Sequence, residues 1–424
     1  MSSQDQSKLS RAISERRDLA VKLIQDMVRL PSYESEAEVQ EYIAGWWRQR
    51  GIEADIWEPD IAELKAHRGY VDVDYDYAGR KNMVVLFKGK GGGGRSLTLN
   101  GHMDVVPVDP TGRWVYGPWS GEYVDGRIYG RGSVDMKSGI ALSMVVMEAL
   151  HACDISLKGD LQMQYVVDEE NGGNGTLAAV LRGYRSDGTI FLESTSPHYL
   201  VVSSRGAHFF RITVEGVEGG IEYQFTQPNA IEKALRMFDA VQSYALWRAA
   251  QADHPLYAHD PTKIPSAICK IQAGNWPSTF PAQCVMEGSL ECLPGEDIVV
   301  VEERFRKYLL EAARQDEWMR AHPPRIEFFG LRFESGATEV DDPLVTCLSQ
   351  AAEEVTGARP AVVGGGGSDL RIPLLYADSP SVLFGPQGGS IHSTDEYVEV
   401  DSVMDVAQII GKFILDWCEV YEPD

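Results

Sequence analysis

The stretch Leu97-Thr-Leu-Asn-Gly-His102-Met-Asp104-Val-Val-Pro107 reads as a short apolar strand that ends in a His-x-Asp pair. Extended residues two apart face the same side. If the strand conformation continues through them, His102 and Asp104 point together, and one can bind a cation while the other orients the imidazole. Reactive groups in open α/β sheets sit beyond the carboxyl ends of the strands. The flanking sequence supports such a sheet. Met83 to Phe87 reads as a strand, and the intervening Lys88–Gly94 run, KGKGGGG, as a turn. That run is no phosphate loop: the Gly-x-x-x-x-Gly-Lys-Ser/Thr pattern is absent, and the glycines precede a strand rather than open a helix. A helix over Met136–Leu150, a strand over Leu161–Val167, a helix over Thr176–Leu181 and a strand over Thr189–Leu192 follow. This alternation predicts an α/β layer with a mostly parallel sheet flanked by helices.

A chain of 424 residues is too long for one ordinary core and is expected to form two domains. Upstream of the sheet, Ser10 to Gly51 reads as two helices interrupted at Pro31-Ser32, with Gly51 as a C-cap. Downstream, the pattern changes. A half-buried strand at His208–Val214, a helix at Ala230–Trp247, strands at Ser266–Gln272 and Gln283–Leu290, a helix at Glu296–Ala313 and a strand at Arg325–Phe329 follow in βαββαβ order. That order predicts a ferredoxin-like α+β domain over 207–326, inserted into an α/β domain made of 1–206 and 327–424. A helix at Leu344–Thr356, a glycine run at Gly364–Gly367 and a closing helix at Ser402–Val420 complete the chain.

Composition narrows the function. The net charge of -24 repels phosphate backbones, so nucleic acid is not an expected partner. The N-terminus has no apolar segment of signal-peptide length, and no apolar run is long enough to span a bilayer. The cysteines Cys153, Cys269, Cys284, Cys292, Cys347 and Cys418 are scattered without a CxxC pair, which indicates neither a disulfide framework nor a cysteine-rich zinc site. The expected location is a reducing cytoplasm.

Four further segments carry chemistry-bearing residues. Tyr129-Gly-Arg-Gly-Ser-Val-Asp135-Met-Lys137 places Asp135 in a glycine-rich turn before an apolar helix. There it either caps the helix or bridges two cations with its two oxygens, while Lys137 is a structural neighbour. Tyr165-Val-Val-Asp168-Glu169-Glu170 puts three acids where a buried strand stops, and such crowded carboxylates repel one another unless cations neutralise them. Of Glu169 and Glu170, one can act as general base and the other as metal ligand. Phe191-Leu-Glu193 ends another strand in an acid. His392 lies in a loop with Asp395 and Glu396. Each of these alone is ordinary. Together, His102, Asp135, Glu169, Glu170, Glu193 and His392 form a carboxylate–imidazole set suited to zinc, manganese or cobalt. Two such ions roughly 3.5–4 Å apart polarise a carbonyl and ionise a water between them.

Taken together, these segments resemble the co-catalytic metallopeptidases and amidohydrolases that include acetylornithine deacetylase, succinyl-diaminopimelate desuccinylase, aminoacylase-1 and carboxypeptidase G. The resemblance runs over nearly the whole chain, with the motifs in the family's order. It implies that His102 and Glu193 hold one metal and His392 and Glu170 the other. Asp135 would bridge them, Glu169 would be the general base, and Asp104 would steer His102. Zinc is the expected ion, with manganese or cobalt as alternatives. Within Gly364-Gly-Gly-Gly-Ser-Asp369-Leu-Arg371, Arg371 is expected to meet a substrate carboxylate. The inserted segment resembles a lid that also forms a homodimer. Two departures concern substrate recognition. A lid histidine expected about ten residues before Asn229, which would stabilise the oxyanion, is absent from Val217–Gln227, and His208 falls on the preceding strand. Glu291 stands in the region of a desuccinylase-type arginine. Tyr223, Gln224, Phe225 and Trp276 would suit a flat or aromatic substrate.

The expected function is therefore hydrolysis of an amide-type C–N bond in a small N-acyl or N-formyl amino compound. One alternative keeps the metals and deaminates an aromatic amine, releasing ammonia. Another is a non-catalytic, metal-stabilised binding protein. A pocket under a lid argues against an endopeptidase.

Overall fold

The computed structural model describes residues 3–109, 112–258, 260 and 262–423. The chain forms two compact units, Met1–Ser203 with Ala337–Gly364 and Ser368–Asp424, and Ser204–Gly336 with Gly365–Gly367.

The first unit is built on a mixed sheet. Its apolar strands run in the order Ala54–Trp57, Asn82–Phe87, Leu161–Val166, Leu97–His102, Thr189–Phe191, Ser381–Leu383 and Tyr199–Ser204. The middle of this order is parallel: Leu97–His102 pairs with Leu161–Val166 on one side and Thr189–Phe191 on the other, and Ser381–Leu383 continues the run. These strands are buried along their length, as expected where both faces are covered by helices. Ser138–Ala152 is apolar nearly all round and buried, and it packs with the amphipathic Val400–Trp417 helix. A second, antiparallel sheet joins Gly388–Gly389, Tyr397–Glu399, Arg127–Tyr129 and Glu122–Val124. Its pairing of Tyr397 with Tyr129 brings the loop carrying His392 beside the turn carrying Asp135, although the two lie far apart in the chain.

The N-terminal region contains three helices, Ser3–Ser14, Arg17–Val28 and Ala37–Arg48, where two were expected. The additional break at Glu15-Arg16 lets Leu9 and Ile13 face the C-terminal helix while the next helix packs on Ser138–Ala152. The expected helix at Met136 begins at Ser138. Asp135 and Met136 are non-helical at (φ -117°, ψ 91°) and (φ -133°, ψ 33°), within a wide turn spanning Ser133–Lys137. The peptide between them is cis.

The second unit carries an antiparallel sheet in the order Ser266–Ala273, Gln283–Cys292, Gly206–Glu215, Arg325–Phe333. The helices Ala230–Gln251 and Ile298–Ala313 supply its core residues Met237, Tyr244, Val301 and Phe305, which pack with Phe210 and Met286. This is the ferredoxin-like βαββαβ order. The last strand runs beyond Phe329 to Phe333 through a register shift. Gly330, at φ 61°, supplies the left-handed residue of that irregularity.

Close helix–sheet approach is a requirement of the first unit. A Cβ on Gly139 would lie 2.0 Å from the Leu192 carbonyl oxygen, immediately before Glu193. Backbone is on the receiving side, so a side chain there must push the helix off the sheet. Gly139→Ala is expected to destabilise the protein by about 1–3 kcal/mol or more, read as a lowered urea midpoint with unchanged m-value.

Candidate metal centre

Three adjacent parallel strands end at one place. Leu97–His102 ends in His102, Leu161–Val166 leads to Glu169 and Glu170, and Thr189–Phe191 leads to Glu193. His102 is 1% exposed. Its Nδ1 lies 3.0 Å from the Asp104 carbonyl oxygen and 3.5 Å from Asp104 Oδ1. A carbonyl oxygen can only accept, so this contact protonates Nδ1 and directs the Nε2 lone pair inward. Nε2 stands 3.1 Å from Asp135 Oδ1 and 3.6 Å from Glu193 Oε1. The other Asp135 oxygen, Oδ2, is 3.2 Å from His392 Nε2, which is also 3.2 Å from Glu170 Oε2. One carboxylate thus faces two imidazoles, one oxygen each. Ligand atoms of His102, Asp135 and Glu170 all lie within 4.8 Å of one another, a grouping that can hold a metal ion.

The electrostatics fit a cation. Burial and the surrounding carboxylates push Glu169, Glu170 and Glu193 above the usual carboxylate range. Burial opposes charge on His102, but Glu193, Asp104 and Asp135 hold its pKa well above the usual imidazole value. Hydrogen bonding to Asp135 and Glu170 raises His392 to about 10. Divalent cations at this point would supply the positive charge that the crowded carboxylates favour, with the two Nε2 atoms as imidazole ligands.

The carboxylate of Asp104 also accepts the backbone N–H groups of Glu169 (3.2 Å) and Glu170 (3.1 Å), so one side chain sets both the imidazole and the acidic turn. Although burial pushes Asp104 up, these bonds and His102 hold it below its ordinary value. Lys137 is buried and donates to the carbonyls of Met27 (3.0 Å) and Leu30 (2.9 Å). Burial lowers its pKa to about 7. Arg371 is wholly buried, and its Nη2 donates to the Gly172 carbonyl at 2.8 Å. Its guanidinium therefore braces the loop after Glu170 instead of presenting donors to solvent.

Sequence reasoning passed over Asp168. It is fully buried at φ 66°. Its carboxylate accepts from the Tyr75 hydroxyl, the Tyr77 hydroxyl (2.5 Å) and Asn174 Nδ2 (3.3 Å). The Arg80 guanidinium lies 4.3 Å over the Tyr75 ring and pairs with buried Glu36. The segment Val71–Tyr77 thus straps the turn that presents Glu169 and Glu170. The alternation of acids with valines and tyrosines in that stretch was the available signal.

Within the second unit, His208 is engaged by Glu302 at 2.6 Å, and Arg205 pairs with Glu291 (2.6 Å) and Asp260 (2.9 Å). Phe225 and Trp276 are largely exposed, at 93% and 67%.

The sequence matches the profile of peptidase family M20/M25/M40 over residues 98–416. It is 28% identical to the N-formyl-4-amino-5-aminomethyl-2-methylpyrimidine deformylase of Halalkalibacterium halodurans, over 96% of each chain. It is 30% identical to the succinyl-diaminopimelate desuccinylase of Ruegeria pomeroyi, over 86% of this chain and 94% of that one. The fold matches that of the dipeptidase Dug1p from Saccharomyces cerevisiae with a TM-score of 0.75, 14% identity and full coverage of both chains.

Two substitutions test the supports of this centre. Asp104→Ala keeps the main-chain carbonyl on His102 Nδ1 but removes the carboxylate beside that ring, which also accepts the Glu169 and Glu170 N–H groups, and is expected to weaken divalent-metal binding about 10–100-fold by calorimetric titration. Tyr77→Phe withdraws one donor from a buried carboxylate and is expected to cost about 1–3 kcal/mol in chemical denaturation.

Proposed function

The chain belongs to peptidase family M20/M25/M40, and from that premise we propose that it is a metal-dependent amidohydrolase that cleaves an N-formyl or N-acyl group from a small amine. The observation that carries this reading is the Asp135 carboxylate, with one oxygen 3.1 Å from His102 Nε2 and the other 3.2 Å from His392 Nε2. In it, His102, Glu193, His392, Glu170 and Asp135 would hold a pair of divalent cations. Such a pair supplies Lewis acidity to the scissile carbonyl and acidifies water. Glu169 is raised by burial and by neighbouring charge, which suits it to take a proton from that water and return it to the departing nitrogen. Asp104 keeps the His102 ring turned inward throughout. The end-to-end similarity to a formylaminopyrimidine deformylase supports a formamide carried by a heteroaromatic amine. The similarity to a desuccinylase supports a succinyl amide as the next candidate.

Zinc is the proposed ion, with manganese or cobalt as substitutes, because a carboxylate-rich ligand set accepts all three. The proposed setting is the cytoplasm. No helix among the described residues is long and apolar enough to cross a membrane. We also propose a homodimer through the second unit. Ser266–Ala273 is an edge strand with Ile271 half exposed, and the Ala230–Gln251 helix exposes Leu235 and Leu246.

The reading is tested on metal-reconstituted wild type and Glu169→Ala against N-formylaminopyrimidines, N-acyl and N-succinyl amino acids, and aromatic amines. Formate or another carboxylate should be released, and the variant should lose about 10²–10⁴-fold in kcat while retaining its metal. Ammonia from the amine panel would move the reaction to deamination. Turnover that persists in the variant would remove Glu169 from the role of base. For the dimer, Ile271→Lys is expected to shift the protein to monomer in sedimentation velocity, and an unchanged sedimentation coefficient would reject this interface.

A further inference from the structure

His102 and His392 are held in different ways. Asp104 orients the ring of His102 directly. His392 is 48% exposed on its side chain and sits at φ 57° in a loop. Among the described residues its imidazole has only Asp135 and Glu170 as polar partners. Its position therefore depends on what holds its loop. Asp135, on the other side of the centre, has non-helical backbone angles and no place in a regular hydrogen-bond ladder.

One buried side chain connects the two. Glu396, in the same loop as His392, is 0% exposed. Its Oε1 accepts the backbone N–H of Val134 at 3.2 Å and of Asp135 itself at 3.3 Å. Its Oε2 receives Arg131 Nη1 at 2.6 Å, and its main-chain carbonyl accepts the Gly130 N–H at 2.8 Å. The preceding residue, Asp395, takes the N–H groups of Val115 and Tyr116 at 2.8 and 3.1 Å, which anchors the loop on its other side. Glu396 thus joins the peptide that carries the two-faced carboxylate to the loop that carries the exposed imidazole.

We infer that Glu396 is a positioning residue that sets the separation between Asp135 and His392, and with it the geometry of the second cation position. The contact that does this is the carboxylate oxygen on the Val134 and Asp135 N–H groups; the pairing with Arg131 satisfies the remaining charge in a buried place. The inference rests on the two-cation reading of the centre proposed above.

Cobalt(II) titration of the full chain, followed by its visible spectrum and by calorimetry, tests it without reference to turnover. Two double variants are compared. Arg131→Met with Glu396→Gln removes the ion pair but keeps an oxygen for the two N–H groups. Arg131→Met with Glu396→Leu removes both and leaves no buried charge behind. The glutamine form should bind two equivalents as wild type does. The leucine form should keep the first equivalent and weaken the second about 10–100-fold, with an altered cobalt spectrum. Wild-type affinity and spectrum in the leucine form would overturn the inference. Equal losses in both forms would also overturn it, because the ion pair would then be the working contact. If wild type takes up fewer than two equivalents, the two-cation reading itself fails, and the inference with it. Should the leucine form not fold, Arg131→Met with Glu396→Ser is read by the same rule, since a serine hydroxyl is too short to reach the Asp135 N–H.

Discussion

Carboxylates repel one another, and burial makes each harder to ionise. Here Glu169, Glu170 and Glu193 meet Asp135 at the ends of three neighbouring strands, and burial is the largest cause raising the pKa of each glutamate. A fold that concentrates negative charge in this way needs positive charge at the same point. Two imidazoles facing one aspartate show where it would enter. The parallel pairing of Leu97–His102 with both flanking strands brings the acids together. The small antiparallel sheet brings His392 to them. Tight packing, such as Gly139 against the Leu192 carbonyl, leaves the strand ends little room to retreat.

Around that charge lies a layer of groups whose work is orientation. Asp104 bonds the peptide N–H groups of the acidic turn as well as lying beside His102. Asp168 turns inward and is caught by two tyrosines and Asn174, so three consecutive acids have three different fates. Arg371 closes the same loop from within by bonding the Gly172 carbonyl. Each device fixes main chain, and the main chain then aims the side chains that face the centre. Hydrogen bonds to buried charged groups are among the stronger ones available, which suits them to holding like charges in proximity.

Much of this was legible in the sequence because it follows from local pattern. Apolar runs that stop abruptly at His102, Asp168 and Leu192 gave the strands and the acids at their ends. The βαββαβ order of the second unit followed from its alternation of periods. Long-range pairings left little trace. Nothing near Asp168 distinguishes it from Glu169 and Glu170, because its partners Tyr75 and Tyr77 arrive from a distant strap. Arg371 is buried and bonds the Gly172 carbonyl, far earlier in the chain, a pairing that its own stretch of sequence does not announce. The break at Glu15-Arg16 has no proline or glycine to announce it. It reflects how two successive helices pack against distant parts of the chain, which no local window contains.

The second unit explains why the centre and the substrate can be read to different depths. His102, Asp104, Asp135, Glu169, Glu170, Glu193, His392 and Glu396 all belong to the first unit. Recognition elements expected by resemblance in the second unit are altered. The Val217–Gln227 stretch lacks histidine, and His208 is committed to Glu302. Glu291 occupies the region where an arginine was expected, and Arg205 is already there to meet it, held also by Asp260. An arginine at 291 would set two guanidinium groups against each other in a partly buried place, a cost that like charges do not recover without added acids. The glutamate is therefore part of a local charge arrangement and cannot be exchanged alone. A chain can keep the hydrolytic machinery of its family while coupled exchanges of this kind elsewhere redirect it to a different acyl group or amine, since specificity depends on differences in contact and the chemistry does not.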